Sequence, residues 1–243
     1  MVDICSKINI LYKNKDFLVL EKPSGLLVQP TKYQLKNTLS EWLLNNFPKI
    51  REIGEISRPG IVHRLDREVS GLMVVAKSKE MYQALVNQFQ EKKIEKKYAA
   101  LVFNFPPKEK GTINYSLGRN KKGKIVVADY LKKIKNTKSA KTFYQVKEKF
   151  FYPQKISFLE IFPLTGRTNQ IRVHLKAIGC PLVGDKKYKI KDLKLIPDFK
   201  IDRIFLHAYY LGFYDLKNKW RDFKINLPLD LENFLNKIRE KNG

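Results

Sequence analysis

Residues 63–68, the polar block His-Arg-Leu-Asp-Arg-Glu, lead within two residues into Gly71–Ala76, an unbroken apolar stretch of strand length. A short continuous apolar run bounded by glycine reads as a buried strand. The polar block must then be a loop delivered at the end of that strand, and loops on a rigid base are where chemistry concentrates. No segment approaches the roughly 18 uninterrupted apolar residues of a membrane span. The first ten residues have neither a basic nor an apolar leader region, so no membrane partner is expected. Cys5 and Cys180 lie far apart without a CxxC pair, which excludes a disulfide scaffold and a cysteine-rich zinc site and fits a reducing, cytoplasmic setting.

The rest of the chain is mostly strand pattern. Residues 8–23 read as two strands around a turn at Lys13–Asp16, and Tyr98–Phe103, Thr142–Val146, Ile156–Phe162 and His207–Phe213 as further strands. Thr38 and Ser78 are placed to cap helices, the second with Met81, Leu85 and Phe89 recurring every four residues. Two more helices are expected, near Thr168–Ile178 with Gly179 as its stop, and over Leu229–Ile238. Irregular alternation with a majority of strands predicts an α+β fold on a mixed, mainly antiparallel sheet with flanking helices. No repeat or linker-like tract interrupts it, so residues 1–243 are expected to form a single domain.

Charge narrows the partner. Forty-eight Lys and Arg oppose 24 Asp and Glu, a net charge of +24, and a field of that size suits nucleic acid. Only ten of the cations are Arg, and four of these fall in two short segments, Arg64 and Arg67 in the first block, Arg167 and Arg172 in Pro163–Leu175. In a chain that otherwise uses Lys, an Arg marks a need for a planar, bidentate donor. Residues 119–149 hold eleven basic and two acidic residues with Tyr130, Phe143 and Tyr144 interleaved. That mixture suits a groove that meets phosphates and stacks bases, or an ordinary hairpin with one solvated and one buried face.

Asp66 has cations on both sides, Arg64 and Arg67, and Arg167 is a further partner in space. An opposing guanidinium keeps a half-buried carboxylate ionised, as a nucleophile or base requires. A structural ion pair would look the same. In the second block, Thr165 or Thr168 could cap a helix with Gly166 and Arg167 at its start, a place suited to an anion. Arg172 and Lys176 are spaced to form one basic stripe. The sequence has no GxxxxGK[ST], GxGxxG or HExxH motif, and His63, His174 and His207 are too scattered to suggest a metal site.

The run GIVHRLDREVSGLMVVAKS (60–78) closely resembles the signature of the RluA-type pseudouridine synthases. Other blocks of that family recur in order: EKPSGLLVQP (21–30), KKYAALV (96–102), LTGRTNQIRVHLKAIGCPLVGDKKY (164–188) and HAYYLGF (207–213). The resemblance covers roughly residues 10–232. It implies the pseudouridine synthase catalytic fold and an isomerase that converts a specific uridine of structured RNA, ribosomal or transfer, to pseudouridine. Position by position, it implies Asp66 as the catalytic aspartate, Tyr98 as the tyrosine that stacks beneath the base and takes the C5 proton, and Arg167 as the partner of the aspartate. Arg64 would fill the space left by a flipped base, with His63, Leu65, Thr165, Gly166 and Arg172 also facing substrate. It implies no cofactor or metal, since isomerisation moves no electrons, and a monomer without an obligatory protein partner.

Three positions depart from the family pattern: Val69 for Thr, Gln29 for His and Asn169 for His. Many relatives also carry an added N-terminal RNA-binding domain of the S4 type. Here about ten residues precede the first strand, so affinity is expected to come from the catalytic domain itself. Two other functions suit the same residues less well: an RNA-binding module of the same fold without catalysis, against which the intact Asp66, Tyr98, Arg64 and Arg167 count, and a metal-dependent RNA hydrolase using Asp66, which would want a second carboxylate nearby.

Overall fold

The computed structural model describes residues 4–31, 34–128, 134, 136–190 and 199–243. Their elements, in chain order, are β1 (Asn9–Lys13), β2 (Phe17–Lys22), α1 (Leu39–Asn46), β3 (Ser70–Ala76), α2 (Lys79–Gln90), β4 (Glu95–Phe103), β5 (Lys110–Asn114), β6 (Leu117–Arg119), β7 (Ile125–Val127), β8 (Lys141–Phe150), β9 (Ile156–Pro163), α3 (Gln170–Ala177), β10 (Leu206–Tyr214), β11 (Trp220–Lys224) and α4 (Leu229–Glu240). The α+β expectation is borne out: the β1–β2, β2–β3, β4–β9, β5–β8, β8–β9 and β10–β11 pairs are antiparallel, with a parallel bridge between Leu27 and Thr38. Among the described residues no helix is long and apolar enough to cross a membrane. The chain divides into two compact units, residues 1–96 with 208–225 and residues 97–207 with 226–243.

In the first unit β3 pairs antiparallel with β2, Phe17 opposite Ala76 and Lys22 opposite Gly71. All seven residues of β3 are buried, as the continuous apolar run requires. Gly71 has φ +130, and a Cβ there would meet the backbone of Ala208 at 2.3 Å. Only glycine fits at the point where the polar block becomes strand. Ser78 caps α2 by accepting from Met81 N, and Met81 and Leu85 are fully buried on its inner face. Thr38 caps α1 in the same way, accepting from Glu41 N.

The second unit is a sheet in which β4 pairs with β9, β9 with β8 and β8 with β5, all antiparallel. Its core joins Leu101, Phe103, Phe150, Ile156 and Phe205 to Leu231, Phe234, Leu235 and Ile238 of α4. The α4 spacing i, i+3, i+4, i+7 presents one apolar stripe to the sheet. Each such side chain removed from water contributes about 1.5–3 kcal/mol. A second cluster packs Leu117, Ile125 and Val127 of the β6–β7 hairpin against Val173 of α3 and Tyr188. Tyr144 is buried, whereas Phe143, on the other face of β8, is half-buried and packs on Phe162, so only the first of these two rings of the 119–149 stretch serves the core. Tyr130, Lys132, Lys133 and Lys135 lie outside the described residues.

Candidate active site

Unit one holds His63, Arg64, Leu65 and Asp66. The segment before them runs beside β3, with Ala76 N–H donating to Gly60 O at 2.9 Å and Ile61 bridging Val75. Val74 N–H then donates to His63 Nε2 at 3.0 Å, so an imidazole takes the place of a strand carbonyl. A ring that accepts through Nε2 carries its proton on Nδ1 and is neutral. Burial, and next the Lys96 ammonium, push the pKa of His63 down to about 3. The ring packs on Phe89 at a tilt of 31°, centroids 5.0 Å apart, and Lys96 Nζ lies 5.4 Å from the Phe89 centroid.

The Asp66 turn is gripped from outside the block. Lys22, fully buried, donates from Nζ to Pro23 O (2.8 Å), Leu26 O (2.9 Å) and Arg67 O (3.2 Å). Gly25 N–H also donates to Arg67 O at 2.7 Å, Arg67 Nε donates back to Gly25 O at 3.0 Å, and Ser24 Oγ donates to Glu68 O at 2.6 Å. Val69 N–H closes the turn on Asp66 O at 3.1 Å. Leu65 and Val69 are buried on either side, Arg64 is exposed and Asp66 is half-buried. Sequence reasoning assigned no role to Lys22 or Ser24, although the EKPSGLLVQP block was the signal that could have found them.

Unit two holds Tyr98, Thr165, Gly166, Arg167 and Arg172. Tyr98, on β4 opposite Ile161, is buried. The loop after β9 is fixed by a chain of side-chain hydrogen bonds. Thr165 Oγ1 accepts from Lys141 N (2.9 Å) and donates to Gln170 Oε1 (2.7 Å), which also accepts from Arg167 N (3.0 Å). Gln170 Nε2 donates to Thr142 Oγ1 at 2.9 Å and Lys141 O at 3.1 Å. Tyr115 O, 3.2 Å from His174 Nε2, can only accept, and in the neutral ring His174 Nδ1 then accepts from the Thr142 hydroxyl at 3.0 Å. The expected helix start needs correction: α3 is preceded by Asn169 at φ 53, with neither Thr165 nor Thr168 as cap. Asn enters the left-handed region with little strain, and Gln170 takes over the orphan N–H of Arg167.

Arg119, Lys138, Gly166 and Arg167 line a cleft of about 530 Å³ with Leu117 and Thr168. Three cations face one concavity, and the Arg167 backbone and Nε, the latter donating to Ser139 O at 3.2 Å, are held from behind. A Cβ at Gly166 would meet nothing within 4 Å, so this glycine leaves space in the cleft. The expected basic stripe of Arg172 and Lys176 is not formed. Arg172 is buried and pairs bidentately with Asp185, Nε to Oδ2 and Nη2 to Oδ1 both at 2.8 Å. Its guanidinium carbon lies 5.2 Å from the Tyr188 ring centroid. Burial pushes the Asp185 carboxyl up, but Arg172 and the N–H groups of Tyr188 and Lys187 outweigh that and hold it below the usual carboxylate range.

Residues 16–177 match the family of RNA pseudouridylate synthases. The chain belongs to that family. As a pseudouridine synthase it is an isomerase of RNA uridine. It is 39% identical over 229 residues to an uncharacterized RNA pseudouridine synthase of Aquifex aeolicus, covering 91% of this chain and 70% of that one. It is 35% identical over 234 residues to ribosomal large subunit pseudouridine synthase D of Zymomonas mobilis, covering 93% and 71%. The solved structure of human RNA pseudouridylate synthase domain containing 4 superposes with a TM-score of 0.73 at 26% identity, covering 95% of this chain and 93% of that one.

Proposed function

We propose that this synthase isomerises one uridine of a structured RNA with Asp66 as the catalytic carboxylate. The observation that carries the reading is the Asp66 turn, whose next carbonyl is held by the Lys22 ammonium and the Gly25 N–H. A carboxylate on a turn so held meets substrate without first being ordered. During the reaction the C1′–N1 bond breaks, a C1′–C5 bond forms, the C5 proton leaves and N1 gains one, with no net redox change. Asp66 attacks or deprotonates the nucleoside, Tyr98 stacks on the uracil and removes the C5 proton, and Arg167 stabilises the anionic carboxylate. Arg64, exposed two residues before Asp66, fills the space of the extruded base, with Leu65 buried between them in the chain.

The cleft of Arg119, Lys138 and Arg167 is the proposed phosphate path, lined also by Gly166, with Thr165 just before it in the chain. We further propose that the chain acts as a single catalytic domain and a monomer in the cytoplasm. The name of the Zymomonas relative favours large-subunit ribosomal RNA over transfer RNA as target. Tritium release from C5-labelled uridine in RNA tests the central claim. Wild type should release it, in EDTA as well, and Asp66→Asn should not; release by the variant would remove Asp66 from the chemistry. Mapping pseudouridine in RNA from cells lacking the protein identifies the target uridine.

A further inference from the structure

We propose that the end of unit two remote from Tyr98 is a second RNA-binding surface, which stacks unpaired bases on Phe151 and Tyr152. It rests on the reading of this chain as an RNA-modifying enzyme. Residues 151–155 join β8 to β9, beside the segment 104–109 that leaves β4. Phe151 is 70% exposed and Tyr152 51%, whereas Phe150 just before them is in the core. Phe105 meets Phe151 edge-on at 5.0 Å, and the ammonium groups of Lys149 and Lys155 lie 5.5 and 5.8 Å from the Phe105 centroid.

The rings stand on fixed backbone. Asn242 Oδ1 accepts from both Phe151 N (2.9 Å) and Tyr152 N (3.0 Å), and its Nδ2 donates to Tyr152 O (2.7 Å). Rigid display lowers the entropy cost of binding, which points to use rather than to an untidy loop tip. The nearby carboxylates are occupied, Glu109 by Lys149 and Glu148 by Arg239. Lys108, Lys110 and Lys155 leave the surroundings positive. Lysine is depleted from protein–protein interfaces. Aromatic rings between cations are instead what bases and phosphates require. Tyr98 lies five residues, about 17 Å, before the end of β4 at Phe103, and Phe105 follows beyond that end, so an RNA must extend well past its target nucleotide to reach both.

The test uses the full chain and a fluorescein-labelled oligouridylate of about twelve nucleotides, a length such surfaces cover. Phe151→Leu keeps an apolar side chain but removes the ring. It should weaken binding at least about fivefold, whereas Phe151→Trp should bind as wild type or tighter. A thiouridine-substituted probe should crosslink to the peptide containing Phe151 and Tyr152. Wild-type affinity in Phe151→Leu with crosslinks only elsewhere overturns the proposal and leaves the patch to a protein partner. Tritium release on a minimal stem-loop separates the two readings. A crosslink at Tyr152 from a chain that isomerises no RNA would sink the isomerase reading and keep this surface. Normal isomerisation with no crosslink would do the reverse.

Discussion

His63 Nε2 accepts the backbone N–H of Val74 at 3.0 Å, tying the loop that carries Asp66 to the strand behind it. The folded protein keeps this imidazole neutral, with a pKa of about 3 set by burial and Lys96, against about 6.5 in the unfolded chain. A lowered folded pKa means that the unfolded state binds the proton first. Stability is therefore full above about pH 6.5 and falls by at most about 1.4 kcal/mol per unit as the pH drops toward 3. His63→Gln keeps an acceptor near the Nε2 position without a titrating group. It should retain most activity and lose this part of the acid sensitivity, whereas His63→Leu, which strands the Val74 N–H, should lose about 1–3 kcal/mol. Urea unfolding at pH 7 and pH 5 checks both.

Lys22→Met should cost about 3 kcal/mol, because a charged donor to three carbonyls disappears and the buried Leu26 carbonyl loses its partner. Its kcat should fall more than its KM rises, since Arg67 O adjoins the proposed catalytic residue. Steady-state kinetics below the variant's Tm measure the split.

Removing one partner of the Arg172–Asp185 pair should destabilise by about 3–5 kcal/mol, as an unpaired buried charge remains. Arg172→Met combined with Asp185→Leu should recover part of the loss. Because the Asp185 carboxyl is held below its usual range, its contribution is present above about pH 4 and is lost as the pH falls through the folded value. Acid unfolding of Asp185→Asn should lack that component.

Gly166→Ala should leave thermal stability within about 0.5 kcal/mol of wild type, because nothing lies within 4 Å of the new Cβ. If the cleft holds RNA, turnover should drop about tenfold or more, since a small displacement of a bound substrate is enough. A normal rate would take the cleft out of the substrate path.

Replacing both Arg119 and Lys138 by Gln should make the salt dependence of RNA binding shallower by about 1.4–1.8 in log–log slope, two phosphate contacts at about 0.7–0.9 each. Fluorescence anisotropy across a salt series reads the slope directly. No change would show that these side chains of the cleft meet no phosphate.

What lay in the amino-acid order alone was whatever local physics decides. The apolar run at β3, the caps Thr38 and Ser78, the four-residue spacing of α2 and the span of α4 all depend on neighbours within a few residues, and all were legible. The family blocks also singled out Asp66, Tyr98 and Arg167. Tertiary structure alone decided which polar group meets which. Arg172 and Lys176 share a helical spacing that reads as a surface stripe, yet Asp185, thirteen residues on, draws Arg172 into the interior. The α3 start moved to Asn169 because Gln170 turns back to the Arg167 N–H, which no capping rule for Thr165 or Thr168 foresees. The family blocks place His63 beside the substrate and give Lys22 no role. Buried N–H and C=O groups must find partners wherever the chain brings them, and here Val74 N–H and Arg67 O found these two.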